Sequence, residues 1–308
     1  MSTRAGRKGI CPVCPIVALV LALSFCLAGC APSQVGGSAA DAVSNRPARD
    51  VDGELVVRFI DVGQGDCALL SCDGHHVLID GGPRDASRKV YSIVRDIGVG
   101  RFDAIVASHP DVDHIGGISA ALNAAGCDAC YCSTWDVDTS LRTFSSLFAN
   151  LEKAGVTLAV PEPGDTVEFG DAVLTFVGPV RQLEGDNDNS LVCRVDFGET
   201  SFLFTGDAEA AEEESLLSAR ADLAADVLKV AHHGSRSSST PAFLKAVDPQ
   251  YAVISVGAGN DYGHPKEQVL DRLAKAGAAI YRTDLDGSVI MKSDGSSIAV
   301  TTTSYVSE

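Results

Sequence analysis

The feature that most constrains this chain is the ten-residue run SHPDVDHIGG at positions 108–117. The short apolar run at 104–107 before it is typical of a buried strand, and the residues after it have the spacing of a helix. The polar side chains are therefore expected at the carboxyl end of a strand, where α/β sheets place their chemistry. Imidazole and carboxylate groups are common ligands of divalent metals, and helix caps or turns explain one such residue more readily than four. The candidate ligands are His109, Asp111, Asp113 and His114.

This run resembles the HxHxDH signature of the metallo-β-lactamase-fold hydrolases, in the variant whose second histidine is replaced by aspartate, here Asp111. The variant is typical of the hydrolase domain of the ComEC/Rec2 competence proteins and of its free-standing relatives. The resemblance extends from about Leu55 to about Ile290 and implies an α/β protein with the metallo-β-lactamase αββα four-layer sandwich. Its other motifs are DVGQGD (61–66), LIDGG (78–82), NSL (189–191), GD (206–207), HHGS (232–235) and YGHP (262–265).

The resemblance implies two metal sites that share one aspartate. The implied cofactors are two divalent metal ions, Zn²⁺ or Mn²⁺, which activate water for hydrolysis. The sequence leaves open which of the two adjacent histidines of HHGS is a ligand. The implied ligands are His109, Asp111 and Asp207 for the first ion, and Asp113, His114, Asp207 and either His232 or His233 for the second. The residues implied in catalysis are Asp113, His233 and His264.

Further polar residues are expected around the ions. By resemblance Asp80 supports the metal-binding loop, although an aspartate before two glycines is also a good turn former. β-Lactamase-like members have a third histidine at the position that corresponds to the run 186–192, and this run contains none. The first site is therefore expected to be oxygen-rich, weaker, or selective for a harder ion such as Mn²⁺, although the run could also be a solvated turn between strands. Ser235, Arg236 and the helix start near Pro241 suggest an anion cradle for phosphate, or simply a capped helix with an exposed arginine. The residues expected beside the ions are Asp61, Asp66, Asp80, Asn189, Ser235 and Arg236.

The amino-terminal residues predict export. In residues 1–30, three basic residues precede an apolar stretch at 16–26, and the following LAGC resembles a bacterial lipobox in which Cys30 is acylated. An ordinary signal peptide or an uncleaved anchor is the alternative. Residues 31–52 predict a flexible linker, and residues 53–308 are the predicted hydrolase domain. We therefore expect an extracytoplasmic protein that is anchored to the bacterial cell membrane by lipid at Cys30.

The cysteines after this segment allow two interpretations. Disulfides persist outside the cytosol. The pattern Cys127-x-x-Cys130-x-Cys132 lacks the second pair or nearby histidine that a zinc site requires. A disulfide, or buried free thiols, is therefore expected, and the pairing cannot be deduced from the sequence.

The net charge limits the partners of the chain. Its 308 residues carry a formal charge of −17, and because residues 1–30 contain three basic residues and no acid, the rest carries −20. Such a body repels a phosphate backbone overall, which counts against a processive DNA-binding enzyme but not against a nuclease.

The sequence as a whole predicts a metal-dependent hydrolase, most specifically a two-metal phosphodiesterase or nuclease with a role like that of competence proteins in DNA uptake. The expected substrate is a phosphodiester in DNA, a nucleotide or the cell envelope, and no stable protein partner is expected. The first alternative is a lactonase or β-lactamase, which the missing third histidine and the Ser/Arg pattern disfavour. The second is a non-catalytic, metal-binding surface lipoprotein, which would bind metal without turnover.

Overall fold

The computed structural model describes residues 53–133 and 142–303. The predicted signal peptide (1–30) and linker (31–52) lie outside the described residues, as do the last five residues of the predicted domain. Within the described ranges, no helix is both long enough and apolar enough to cross a membrane.

The described residues contain fifteen strands and eight α-helices. The strands are β1 (Leu55–Phe59), β2 (Ala68–Cys72), β3 (His75–Ile79), β4 (Phe102–Ala107), β5 (Cys127–Cys132), β6 (Leu158–Ala159), β7 (Thr166–Phe169), β8 (Ala172–Gly178), β9 (Val192–Phe197), β10 (Thr200–Phe204), β11 (Val227–Lys229), β12 (Tyr251–Ile254), β13 (Ala279–Arg282), β14 (Val289–Ser293) and β15 (Ile298–Thr302). The helices are α1 (Ser87–Ile97), α2 (Val112–Ile115), α3 (Ile118–Ala125), α4 (Arg142–Ala154), α5 (Ala210–Ala219), α6 (Pro241–Val247), α7 (Glu267–Lys275) and α8 (Thr283–Asp286).

The strands form two mixed sheets. The eight-stranded sheet has the order β15-β14-β1-β2-β3-β4-β5-β6, and the seven-stranded sheet has the order β13-β12-β11-β10-β9-β8-β7. Strands β3 to β6 are parallel in the first sheet, and β10 to β13 are parallel in the second. Parallel neighbours need crossover connections, and the longer helices of the chain supply them.

Three apolar clusters hold the layers together. The inner faces of the two sheets meet in one cluster, to which Phe59, Phe176 and Phe202 contribute. A second cluster joins the outer face of the first sheet to α1, α3 and α4, and a third joins the second sheet to α5, α6 and α7. The four-layer αββα sandwich predicted from the sequence is therefore confirmed.

Strand β11 ends at Lys229, shortly before the chain turns into a short 3-10 segment, Ala231–Gly234. Five of the cysteines are buried free thiols, which is one of the two interpretations that the sequence allowed: Cys67, Cys72, Cys127, Cys130 and Cys193.

Candidate metal centre

The predicted metal-binding run leaves β4 and folds back in a single turn of helix. Asp111 precedes α2, and its carbonyl oxygen accepts hydrogen bonds from the backbone N–H groups of His114 and Ile115, both at 3.0 Å. This turn brings the rings of His109 and His114 together, with their centroids 4.1 Å apart. Both imidazoles are fully buried.

The glycines of two motifs allow this turn to pack against the end of β3. The N–H of Gly81 donates to the carbonyl oxygen of His114 at 2.6 Å, and the N–H of Gly117 donates to that of Gly82 at 3.0 Å. A Cβ atom on Gly117 would lie 2.1 Å from the carbonyl oxygen of Gly81. Only glycine permits so close an approach of two backbones.

Asp207 lies at the centre of the cluster, immediately after Gly206 at the end of β10. Its Oδ1 is 3.2 Å from Nε2 of His114. Its Oδ2 is 3.9 Å from Nε2 of His109, 3.7 Å from Nε2 of His232 and 3.6 Å from Nε2 of His233. The structure therefore gathers four predicted histidines around the carboxylate of Asp207, the predicted shared aspartate.

The adjacent histidines of HHGS have different surroundings. Both lie in the left-handed backbone region, with φ of 48° for His232 and 51° for His233, a conformation that non-glycine residues adopt at functional sites. The His233 ring is buried; its Nδ1 contacts the carbonyl oxygen of Ser255 at 2.9 Å, and its Nε2 is 3.3 Å from Oδ2 of Asp113. The His232 side chain is 22% exposed, and its Nδ1 is 3.0 Å from Glu209. His233 is therefore the better partner for Asp113 and His114.

The donor atoms fit divalent cations. Nε2 of His109, His114 and His233 and Oδ1 of Asp207 are buried without a hydrogen-bond partner in the described part of the chain. Buried polar atoms are nearly always partnered, so their convergence has a natural explanation in bound cations. Two groups each offer three ligand atoms within 4.8 Å of one another: His109 with His114 and Asp207, and Asp113 with His114 and His233.

A buried aspartate fixes the direction of the metal-facing rings. Oδ2 of Asp80 is 2.9 Å from Nδ1 of His114 and accepts the Ser108 hydroxyl at 2.7 Å. The Ser108 hydroxyl also lies 3.0 Å from Nδ1 of His109. Because Nδ1 of each ring is engaged on this side, Nε2 of each ring faces Asp207. Asp80 therefore contacts both the start of the metal-binding run and the ring of His114.

Lys229 and Asp66 form a buried ion pair beneath the cluster, with Nζ and Oδ2 2.6 Å apart. Oδ1 of Asp66 is also 3.3 Å from Nδ1 of His233. The sequence singled out Asp66 but not Lys229, whose only signal is that it is the one charged residue in the apolar run VLKVA at 227–231. The pair lies within reach of a metal-facing histidine, so it can orient that ring.

The carboxylates and imidazoles of the cluster set each other's charge. Burial alone would raise the pKa of the Asp207 carboxyl, but His114 and His233 lower it well below its usual range. Burial alone would lower the pKa of the His233 imidazole, but Asp207 and Asp66 raise it to about 10. The acidic groups therefore require positive charge beside them, and a divalent cation is one way to supply it.

Other predicted residues lie further from the cluster or serve the backbone. Asp61 pairs with Lys89 at 3.3 Å and accepts from the N–H of Gly63 at 3.1 Å, so it shapes the DVGQGD turn. The side chain of Asn189 exchanges hydrogen bonds with the backbone of Leu183 at 2.8 Å in each direction. Asn189 therefore does not stand in for the third histidine of β-lactamase-like proteins.

The expected anion cradle is partly filled by the protein itself. Before α6, the N–H groups of Ser239 and Thr240 donate to the carboxylate of Glu213 at 2.5 and 2.8 Å. The Ser235 hydroxyl contacts another serine of the same loop, and Arg236 is exposed. The start of this helix is therefore a capped end, the alternative that the sequence left open.

A cleft of about 150 Å³ gives solvent access to the cluster. Gln64, Tyr262 and His264 line it together with the candidate ligands. The ring of His264 meets that of His232 edge-on, with centroids 5.8 Å apart. Burial, reinforced by the positive charge of neighbouring histidines, lowers the pKa of His264 to about 4. His264 therefore faces the cleft as a neutral imidazole at neutral pH.

The sequence matches a known family across most of the residues that build this site. A model of the metallo-beta-lactamase superfamily matches residues 60–258. This chain belongs to that superfamily. It resembles YhfI of Bacillus subtilis, a metallo-beta-lactamase fold protein of known structure, with a TM-score of 0.54 and 14% identity over 79% of this chain and 100% of YhfI. At that identity the likeness supports the fold alone.

Curated relatives of this superfamily member include competence proteins. It is 32% identical over 263 residues to competence protein ComA of Neisseria gonorrhoeae, a match that covers 80% of this chain and 33% of ComA. It is 28% identical over 262 residues to ComE operon protein 3 of Bacillus subtilis (strain 168), covering 79% of this chain and 33% of that protein. The chain thus spans about a third of the length of these relatives. The resemblance drawn from the motifs is confirmed.

Proposed function

We propose that this superfamily member is a two-metal phosphodiesterase that acts outside the cytoplasm. The observation that carries the proposal is the convergence of unpartnered histidine and carboxylate atoms on Asp207, at the floor of an open cleft. A metal-dependent hydrolase needs both buried ligands for the metal ions and an open path by which the substrate reaches them.

Each group of the cluster has a separate task in this proposal. Cations bound here would act as Lewis acids, activating a water molecule and stabilising negative charge on a phosphoryl oxygen. Asp80 and Ser108 hold the rings of His109 and His114 in place. Neutral His264, at the mouth of the cleft, hydrogen-bonds an oxygen of the substrate. The first set of ligands is His109, Asp111 and Asp207, and the second is Asp113, His114, Asp207 and His233.

Two observations favour a phosphodiester over a lactone or β-lactam. The run 186–192 contains no third histidine, and the side chain of Asn189 within it binds backbone, so carboxylates contribute more of the ligand set and harder ions are favoured. The relative ComA is named as a competence protein, which supports a nucleic acid or nucleotide as substrate. The lipobox-like end at Cys30 supports attachment to the membrane and an extracytoplasmic location.

The test is hydrolysis of bis-p-nitrophenyl phosphate by purified protein that has been stripped of metal and reloaded with Zn²⁺ or Mn²⁺. We expect metal-dependent turnover that is lost in His114→Ala and Asp207→Ala, together with a lower metal content. His75→Ala is the matched control, because His75 also pairs with a carboxylate, Asp103, at 2.8 Å but lies exposed on a hairpin.

Turnover in the control but not in the two cluster variants would support the proposal. If the reloaded protein holds close to two ions per chain and turns over no phosphodiester, the proposal is wrong. Hydrolysis of a lactone or of a β-lactam under the same conditions would then favour the first alternative, and metal binding without any turnover would favour the second.

A further inference from the structure

One exposed aromatic ring stands at the mouth of the cleft and has no part in the chemistry proposed so far. Tyr262 is 64% exposed, although large apolar and aromatic side chains of this chain are mostly buried. It lines the same cleft as Asp113, Asp207 and His233. Its place in the lining of the cleft sets Tyr262 apart from another exposed tyrosine, Tyr91, which lies on α1.

The ring continues a row of aromatic side chains that begins at the metal-facing residues. His232 meets His264 edge-on at 5.8 Å, and His264 stacks on Tyr262 with centroids 5.6 Å apart and planes 23° apart. The contact with His264 leaves most of Tyr262 exposed at the mouth of the cleft. A planar group that entered the cleft would therefore meet this ring.

The loop that carries Tyr262 is held in place by its own hydrogen bonds. The Asn260 amide donates to the carbonyl oxygens of Gly257 at 2.9 Å and His264 at 2.7 Å, and its oxygen accepts the N–H of His264 at 3.0 Å. The N–H of Gly257 donates in turn to the side chain of Gln64 at 3.2 Å. Because the ring is ordered before any ligand arrives, little conformational entropy is lost when a ligand binds.

A lysine four residues further along the same loop contacts the backbone of Tyr262. Nζ of Lys266 donates to the carbonyl oxygen of Tyr262 at 2.5 Å. An aromatic ring next to a lysine is the combination that binds single-stranded nucleic acid, since the ring stacks a base and the cation attracts the phosphate. A quaternary ammonium headgroup also binds aromatic faces, but Lys266 would repel it.

We propose that Tyr262 is a stacking platform for the nucleobase attached to the scissile phosphodiester, which makes the substrate class nucleotide or single-stranded nucleic acid. This inference rests on the proposed phosphodiesterase function and narrows it. It also places base recognition on the YGHP loop.

The test compares three p-nitrophenyl phosphodiesters with the same leaving group: the thymidine 5′ ester, the choline ester and the methyl ester. In the metal-loaded protein we expect the highest kcat/KM for the thymidine ester. Tyr262→Ala should lower the ratio of kcat/KM between the thymidine and methyl esters about tenfold, mainly through KM, since stacking one base contributes about 1–3 kcal/mol. Tyr262→Phe should keep the ratio, and so should Tyr91→Ala, which removes an exposed tyrosine on α1.

A binding experiment gives a second readout that needs no turnover. By titration calorimetry of the metal-loaded protein, thymidine 5′-monophosphate should bind about tenfold more tightly than deoxyribose 5-phosphate, which has the same phosphate and no base. Tyr262→Ala should abolish that difference.

The outcomes separate the two proposals. If all three esters are hydrolysed and Tyr262→Ala leaves their kcat/KM ratios unchanged, the stacking platform is wrong and the phosphodiesterase proposal stands. If the choline ester is preferred and Tyr262→Ala removes that preference, the ring binds a cationic headgroup and the nucleobase assignment is wrong. If no ester is hydrolysed, the phosphodiesterase proposal fails and this inference fails with it.

Discussion

Oδ2 of Asp80 lies 2.9 Å from Nδ1 of His114, and both groups are buried. Asp80 also accepts the backbone N–H of Ser108 at 2.7 Å, so one carboxylate ties the end of β3 to the start of the metal-binding run. The contact fixes both the orientation of the imidazole and the nitrogen that faces the cluster. It connects the LIDGG motif to the metal chemistry.

Asp80→Asn should weaken metal binding more than it weakens the fold. Loss of a carboxylate that orients a metal-binding histidine lowers metal affinity by about 10–100-fold. Calorimetric titration with Zn²⁺ and Mn²⁺ measures the change. Asp103→Asn is the matched control, because Asp103 pairs with the exposed His75 at a similar distance, 2.8 Å, and its substitution should leave metal affinity unchanged. Equal losses in the two variants would contradict this role for Asp80.

The ion pair beneath the cluster should stabilise the fold. Lys229→Met leaves the Asp66 carboxylate buried without its nearest cation, and breaking a buried pair in this way lowers the free energy of unfolding by about 3–5 kcal/mol. Lys292→Met is the comparison, since its pair with Glu54 is half exposed and its loss should change the free energy by less than about 1 kcal/mol. Denaturant unfolding measures both. The double variant Lys229→Met with Asp66→Asn should recover part of the loss, and no recovery would contradict the pairing.

The close contact between two backbones should not tolerate a methyl group. Gly117→Ala would place Cβ 2.1 Å from the carbonyl oxygen of Gly81, so the metal-binding turn must move away from β3. We expect lower thermal stability and lower metal affinity together. Gly100→Ala is the control, because its Cβ would meet nothing within 4 Å. Thermal unfolding and metal titration of both variants decide the point, and wild-type behaviour of Gly117→Ala would contradict it.

The sequence was sufficient to predict which residues form the site wherever a residue's position follows from local chain geometry. The cluster of His109 and His114 could be predicted from the sequence, because the end of a strand and one helical turn bring these side chains together. The sequence could not choose between His232 and His233, since the choice depends on two consecutive left-handed backbone conformations. It could not find Lys229, because the partner of that lysine lies on a distant part of the chain.

The expected anion cradle shows the same limit. The turn before α6 has the composition of an open helix start, and only the packing of α5 against it shows that the Glu213 carboxylate already accepts its N–H groups. Hydrogen bonds between elements distant in sequence decide whether such a position can receive a ligand.

The buried acid next to Glu213 should make stability depend on pH. Glu212 is fully buried, and this burial, with the nearby Asp188, raises the pKa of its carboxyl to about 10. At pH values between 4.5, the ordinary pKa of this carboxyl, and about 10, the folded chain keeps a proton that the unfolded chain has released. The free energy of unfolding therefore falls as the pH rises through this range. Glu212→Gln has no proton to lose. It should therefore raise the melting temperature relative to the wild type at pH 8 by at least about 2–4 °C, which corresponds to about 1 kcal/mol, and by less at pH 5.

Glu213→Gln is the matched control for this pH dependence. Both carboxylate oxygens of Glu213 accept backbone N–H groups before α6, and an amide can replace only one of them. Burial raises the pKa of the Glu213 carboxyl as well, so the substitution should lower the melting temperature at both pH 5 and pH 8, but by less at pH 8. Thermal unfolding of the two variants and the wild type across this range measures both effects. A stabilisation by Glu212→Gln that does not grow between pH 5 and pH 8 would show that Glu212 is ionised in the folded chain and would contradict the prediction.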